Sequence, residues 1–292
     1  MGEPWRGSRS WAVVERAEAA LGEPLAHLLL EAGDDVLART REAQLAVFLQ
    51  SLMAWEAVRA DLADPDLDPP VAFAGHSLGQ VTALVAAGSL SLEDGVRLAA
   101  ARAAATQAAA EAAPGRLAAL LGADLDLAEA ACAAVEGAWV ANDNAPGQVV
   151  IGGTPAGVEA AAGEARRLGA RKVIPLNVGG AFHTPLMAPA AAALGPVLDG
   201  LRFRRPSAPV VSNVDGRPYG DAAGWPARLA AQLVSPVRWR DTLLTLAGLG
   251  ARSLVEVGPG GVLAGLARRT VAGVPVRTVA IPDDVPLLME VA

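Results

Sequence analysis

Gly75-His76-Ser77-Leu78-Gly79 follows the short apolar run Val71-Ala72-Phe73-Ala74 and precedes an Ala/Leu/Val-rich stretch from Val81 to Leu90. A serine with glycine two residues to either side, a strand signal before it and a helix signal after it, specifies a strand, a sharp turn and a helix packed back on that strand. In such an elbow the serine backbone is strained, and Gly75 and Gly79 are small because strand and helix nearly touch. The turn lifts the Ser77 hydroxyl away from the sheet. It also brings the first unpaired N–H groups of the helix beside a reacting carbonyl, which makes Leu78 N–H a candidate oxyanion donor. The five-residue pattern recurs by chance, and the bland alternative is an ordinary glycine-bearing strand-to-helix turn. The flanking elements favour a nucleophile at Ser77.

A serine hydroxyl needs a base, and the chain has three histidines. His76 precedes the serine, so its side chain projects from the other side of the elbow. His27 sits in an amphipathic N-terminal helix, where a surface or structural role is the better reading. His183 lies in the loop Gly179-Gly180-Ala181-Phe182-His183-Thr184-Pro185, at a junction from which it can reach the elbow, and it is the candidate general base. Arg102 stands among Leu98, Ala99, Ala101, Ala103 and Ala105 on a predicted helix. It either snorkels from the helix edge or presents its planar fork to a substrate carboxylate, and composition does not choose between the two.

Along the chain, Trp11 to Leu30 reads as one or two short helices and Ala43 to Leu62 as a longer one, ended by Pro65, Pro69 and Pro70. Pro69-Pro70 leads into a strand from Val71 to Gly75, and Leu92 to Ala112 is helical. Between residues 115 and 178 the rhythm changes to strand (Arg116–Leu121), helix (Leu125–Val135), strand (Trp139–Ala141), strand (Val149–Ile151), helix (Pro155–Leu168) and strand (Lys172–Asn177), the order of a ferredoxin-like unit. After it come helices at Pro189–Leu198, Trp225–Leu233, Trp239–Leu249 and Val262–Arg269, with strands at Val210–Ser212 and Ser253–Val257. The predicted fold class is α/β: a hydrolase-like, parallel-sheet large subdomain (1–114 and 179–292) with an inserted ferredoxin-like small subdomain (115–178).

Several function classes are excluded by composition. A net charge of −7 argues against a nucleic-acid surface, which needs a cationic face. One cysteine, Cys132, permits neither an internal disulfide nor a cysteine-based zinc site. Met1-Gly2-Glu3-Pro4-Trp5-Arg6 lacks the basic start and apolar core of a signal peptide, and no stretch approaches the ~18 uncharged apolar residues of a membrane span. The expectation is a cytoplasmic, monomeric protein that binds neither nucleic acid nor membrane and holds no metal.

Taken in order, Gly75-His76-Ser77-Leu78-Gly79, Arg102, the segment Asn142-Asp143-Asn144-Ala145-Pro146-Gly147-Gln148-Val149-Val150, Ala181-Phe182-His183, Asn213-Val214-Asp215-Gly216, Gln232 within Gln232-Leu233-Val234-Ser235-Pro236-Val237-Arg238-Trp239, and Glu256-Val257-Gly258-Pro259-Gly260 resemble the malonyl-CoA:acyl-carrier-protein transacylases. The similarity runs from about residue 1 to about 270. It implies ping-pong acyl transfer: Ser77, activated by His183, attacks the thioester of malonyl-CoA, and the phosphopantetheine thiol of acyl carrier protein then takes the malonyl group. Malonyl-CoA is substrate, and no cofactor is implied. The resemblance makes Arg102 the grip on the malonyl carboxylate and the main-chain carbonyl of Gln232 the acceptor that orients His183. It assigns His76, Leu78, Phe182 and Asn144 to the substrate site. Phe182 next to His183 resembles malonyl-selective members, where a bulky ring would crowd an α-methyl group; one methyl is worth about 1–3 kcal/mol of discrimination.

Two departures accompany the resemblance. Gln80 stands where many members have glutamate. Members also usually open with a strand and a Gln-Gly-Ser-Gln-like loop that carries a second oxyanion donor, whereas here the resemblance begins at Met1. That pattern predicts a functional protein extending upstream, and a loss on the order of 10²–10³ in rate without the second donor. The residues also leave open an α/β-type serine hydrolase or thioesterase, a catalytically weak relative that only docks carrier protein, and a malonyltransferase of a malonate-decarboxylase system. A hydrolase usually places its acid between serine and a histidine near the chain end, which is not the order here.

Overall fold

The computed structural model describes residues 1–37, 39–61 and 69–288; Leu62 and Pro65, read as a helix end and its breaker, lie outside them. Helices α1 (Ala12–Leu21), α2 (Ala26–Leu30), α3 (Asp34–Leu37) and α4 (Thr40–Asp61) lead to α5 (Gly79–Ala86) and α6 (Leu92–Ala112). The long apolar stripe of α4 buries Leu45, Phe48, Leu49, Leu52 and Met53 against α5 and α6, each such side chain contributing about 1.5–3 kcal/mol. Alanines on α6 (Ala99, Ala103, Ala109 and Ala110) are buried, which permits the close approach of α4 and of the later helix α9 (Ala188–Asp199). Ser91 begins α6 by accepting a hydrogen bond from Asp94 N at 3.0 Å, a side-chain cap that fixes where the helix starts.

Strands β1 (Arg116–Leu121), β2 (Ala138–Ala145), β3 (Gln148–Gly153) and β4 (Lys172–Leu176), with helices α7 (Leu125–Ala133) and α8 (Pro155–Arg167), form the ferredoxin-like unit. The strand order is β4-β1-β3-β2, every neighbour antiparallel, as the sequential strand–helix–strand–strand–helix–strand pattern requires. Alternation divides the sheet. Ala118, Leu120, Val140, Val149 and Ile151 face α7 and α8, while Leu117, Ala119, Ala141 and Val150 face Phe182. Asp124 and Thr154 cap the two helices, and Pro155 sits in the first turn of α8.

The remaining elements are β5 (Val210–Val211), β6 (Pro218–Tyr219), α10 (Trp225–Val234), β7 (Val237–Arg238), α11 (Trp239–Gly248), β8 (Leu254–Val257), α12 (Val262–Thr270) and β9 (Val276–Val279). No sequence signal marks β6, β7 or β9. β7 joins the small sheet, pairing parallel with β2 at Asn142–Val237 and Asp143–Arg238, so that sheet is completed from outside residues 115–178. Beside this joint, Arg240 Nε lies 3.0 Å from the buried carboxylate of Asp143.

Among the described residues, parallel pairing in the large subdomain comprises β8 with β9 and a single bridge between Phe73 and Val210. The expected strand from Val71 to Gly75 is thereby reduced to one rung, with Phe73 N donating to Pro209 O and Val211 N donating to Phe73 O, both at 2.8 Å. The chain leaves the ladder at Ala74 to make the elbow.

Candidate active site

The elbow is built as its sequence requires, with one correction. A Cβ on Gly75 would fall 1.9 Å from Gly79 O, so only glycine fits where strand and helix cross. A Cβ on Gly79 would meet nothing within 4 Å, so the crowding falls on Gly75 alone. Ser77 has φ +53°, and Gly79 N, Gln80 N and Val81 N bond back to His76 O, Ser77 O and Leu78 O. Among the described residues no acceptor engages Leu78 N–H. The Leu78 side chain lies in the main core, so its N–H is what it offers the cleft.

His183 arrives from a loop pinned on both sides. Thr184 Oγ1 donates to Ala181 O at 2.6 Å, and Ala181 packs so tightly on Gly115 that a Cβ there would lie 2.6 Å from the Ala181 Cβ. His183 has φ +62°; among the described non-glycine residues only it and Ser77 have positive φ. Its Nε2 lies 2.7 Å from Ser77 Oγ and its Nδ1 lies 2.8 Å from Gln232 O. A carbonyl can only accept, so Nδ1 carries the proton and Nε2 is left to accept from the serine hydroxyl. His183 is 5% exposed, and burial, with the Arg102 guanidinium nearby, pushes its pKa down to about 3. The imidazole is therefore neutral, the form a base needs.

Arg102 is equally buried. Its NH2 donates to Ser77 Oγ at 2.9 Å and its NH1 donates to Gln44 Oε1, while Nε has no hydrogen-bond partner among the described residues. Burial lowers its pKa to about 10, which leaves it charged at neutral pH. Among the described residues no carboxylate pairs with it. Of the two readings of Arg102, snorkelling is ruled out by this burial.

The other expected residues divide into two groups. His76 turns away to Asn144, Nε2 to Oδ1 at 2.9 Å, and lies edge-on to Trp239 with ring centroids 5.4 Å apart. This contact links the elbow to β2, and burial lowers the His76 pKa. Phe182 packs against both the main core and the inner face of the small sheet. His27 is exposed on α2, far from this chemistry in role as its sequence context indicated.

This arrangement is matched elsewhere. Residues 7–283 match the acyl transferase domain family. The chain belongs to that family. The acyltransferase is 36% identical over 280 residues to the malonyl CoA-acyl carrier protein transacylase of Bacillus subtilis, covering 94% of this chain and 87% of that one. It superposes with TM-score 0.91 on the malonyl-CoA:acyl carrier protein transacylase of Xanthomonas oryzae pv. oryzae, at 36% identity and covering 98% and 91% of the two chains. A malonyl-transacylase solved in complex with a type II polyketide synthase acyl-carrier protein superposes with TM-score 0.88 at 32% identity, covering 96% of this chain and 91% of that one.

Two residues of the acyltransferase site escaped sequence reasoning. Gln44 reads as one polar position on an amphipathic helix, and only its partner Arg102, 58 residues away, gives it meaning. Asn213 was noted within a turn-like Asn-Val-Asp-Gly segment, yet it is fully buried and bonds to Ser77 N, Gly75 O and Gln232 Nε2. No local pattern encodes that convergence.

Proposed function

We propose that this acyltransferase transfers the malonyl group of malonyl-CoA to the phosphopantetheine thiol of acyl carrier protein through a malonyl ester on Ser77. The observation that carries the reading is a buried arginine with no acid partner among the described residues, hydrogen-bonded to the nucleophile itself. A buried cation calls for an anion, and an acyl group ending in a carboxylate supplies one next to the hydroxyl it will acylate.

In the first half-reaction Ser77 Oγ attacks the thioester carbonyl while His183 Nε2 takes the hydroxyl proton. Leu78 N–H faces the developing oxyanion. Collapse breaks the carbon–sulfur bond, and the imidazolium returns the proton to the coenzyme A thiolate. The second half-reaction runs the same steps in reverse, with the carrier thiol attacking the serine ester. Gln232 O holds the imidazole in the productive tautomer, the part aspartate plays in a triad, and a neutral carbonyl stabilises imidazolium less than a carboxylate does. Arg102, with Gln44 fixing its other nitrogen, grips the malonyl carboxylate. Phe182, His76 and Asn144 line the approach, and the small subdomain spans residues 115–178. The product feeds fatty-acid or polyketide chain extension by a monomeric, cytoplasmic enzyme.

Intact-mass analysis after mixing with malonyl-CoA tests the reading. The expected result is a malonyl adduct mapping to Ser77, absent in Ser77→Ala and discharged by carrier protein bearing phosphopantetheine. Release of free malonate at a rate indifferent to carrier protein would make the chain a hydrolase instead.

A further inference from the structure

In a parallel ladder, the rung after Phe73 would pair Val211 O and Asn213 N with the main chain of Gly75. The elbow pulls Gly75 out of that position, and the amide of Gln80 fills it. Gln80 Nε2 donates to Val211 O at 3.1 Å, and Gln80 Oε1 accepts from Asn213 N at 2.8 Å. The displaced Gly75 O is taken up by Asn213 Nδ2 at 3.0 Å. Asn213 Oδ1 then accepts from Ser77 N at 2.8 Å and from Gln232 Nε2 at 2.9 Å, and Gln232 Nε2 also donates to Ser77 O at 3.0 Å. Gln80 and Asn213 are 2% and 0% exposed. The strained peptide of the nucleophile and the residue whose carbonyl orients the base therefore hang on one asparagine, which is itself held by one glutamine.

We propose that Asn213 is the positioning residue that fixes Ser77 and, through Gln232, His183 in reactive alignment, and that Gln80 acts as a side-chain rung holding Asn213 in place. This rests on Ser77 being the acylated residue. Neither side chain touches the acyl group, so their loss acts on the rate of acylation and not on the grip of Arg102. The chemistry at position 80 is specific. A carboxylate there accepts from Asn213 N as well as the amide does, but it must be protonated to donate to Val211 O.

The test is single-turnover acylation of Ser77 by malonyl-CoA, followed by rapid quench and intact mass across malonyl-CoA concentration and pH, with circular dichroism melts as the check on folding. Asn213→Leu is expected to lower the maximal acylation rate on the order of 10²-fold, with half-saturating malonyl-CoA changed by no more than about twofold. Asn213→Asp keeps the acceptor for Ser77 N and Gln232, gives up the donor to Gly75 O, and adds a negative charge near His183, alongside Arg102 and His76, which both depress its pKa. It is expected to retain more rate than Asn213→Leu, and its acid limb lies at higher pH than that of the unmodified chain because the charge favours imidazolium. Gln80→Leu loses rate at every pH, whereas Gln80→Glu recovers as pH falls. If Asn213→Leu does not fold, the shifted limb of Asn213→Asp carries the test. Wild-type rates in both Asn213 variants, or an unmoved limb in Asn213→Asp, would overturn the proposal. Failure of the unmodified chain to acylate Ser77 would overturn the reading beneath it as well.

Discussion

Replacing Arg102 by methionine keeps an unbranched buried stem and removes the guanidinium, and the structure predicts two separable consequences. The guanidinium is 2.9 Å from Ser77 Oγ and has no acid partner among the described residues, so its charge is available to the malonyl carboxylate. Charge-assisted hydrogen bonds contribute about 1.5–3 kcal/mol, so kcat/KM for malonyl-CoA should fall on the order of 10- to 150-fold. Acetyl-CoA lacks the carboxylate and should lose far less. The second consequence concerns the base. After burial, Arg102 is the largest cause of the depressed His183 pKa, so its removal lets that pKa climb from about 3 while burial still holds it below the ordinary value. The base is active when neutral, so the acid limb of the rate should shift to higher pH. Steady-state transfer to carrier protein, measured with both acyl-CoA substrates between pH 4 and 8, reads both effects. Equal losses for malonyl and acetyl groups would remove Arg102 from carboxylate recognition, and an unmoved acid limb would refute its coupling to His183.

Other perturbations follow from the same geometry. Gly75→Ala should cost about 3 kcal/mol or more because its Cβ would overlap Gly79 O, whereas Gly79→Ala should stay within about 1 kcal/mol of wild type; urea midpoints separate the two. Gln232→Ala leaves the orienting carbonyl in place and should cost roughly tenfold in acylation, against about 10²–10⁴ for His183→Ala. A Gln232→Ala defect as deep as that of His183→Ala would show that the side chain, not the carbonyl, is essential. His183 stays neutral in the folded protein below pH 6.5 while the unfolded chain takes up a proton. Stability is therefore fully present above 6.5 and falls by about 1.4 kcal/mol per pH unit as pH drops towards about 3. Chemical denaturation at pH 7 and pH 5, compared with His183→Gln, checks the slope. Gln44→Leu frees Arg102 NH1 and should raise KM for malonyl-CoA more than it lowers kcat.

The parts of this structure legible in the sequence are those governed by local rules. α6 occupies the whole predicted span because Ser91 caps it and an unbroken alanine-rich run follows, and the ferredoxin-like order followed from short strands alternating with capped helices. β7 was not legible, and the strand expected from Val71 to Gly75 shrank to the single Phe73 rung. Two-residue pairings carry no periodicity and exist only because distant segments meet. The same division holds in the site. The elbow announces itself through glycine spacing, and His183 by elimination, but Gln44 and Asn213 acquire their roles from partners 58 and 136 residues away.

The left-handed backbone at Ser77 and His183 has a consequence for how the protein can be improved. Each non-glycine residue held there costs on the order of 1–2 kcal/mol relative to a relaxed conformation. Ser77→Gly relieves that strain with little loss of packing, so, on the reading in which Ser77 is the acylated residue, a selection for heat resistance alone would be drawn to a position where any gain ends the chemistry. On that reading the nucleophile's own backbone stores strain the chemistry cannot give up, and thermostable variants are to be sought elsewhere in the chain.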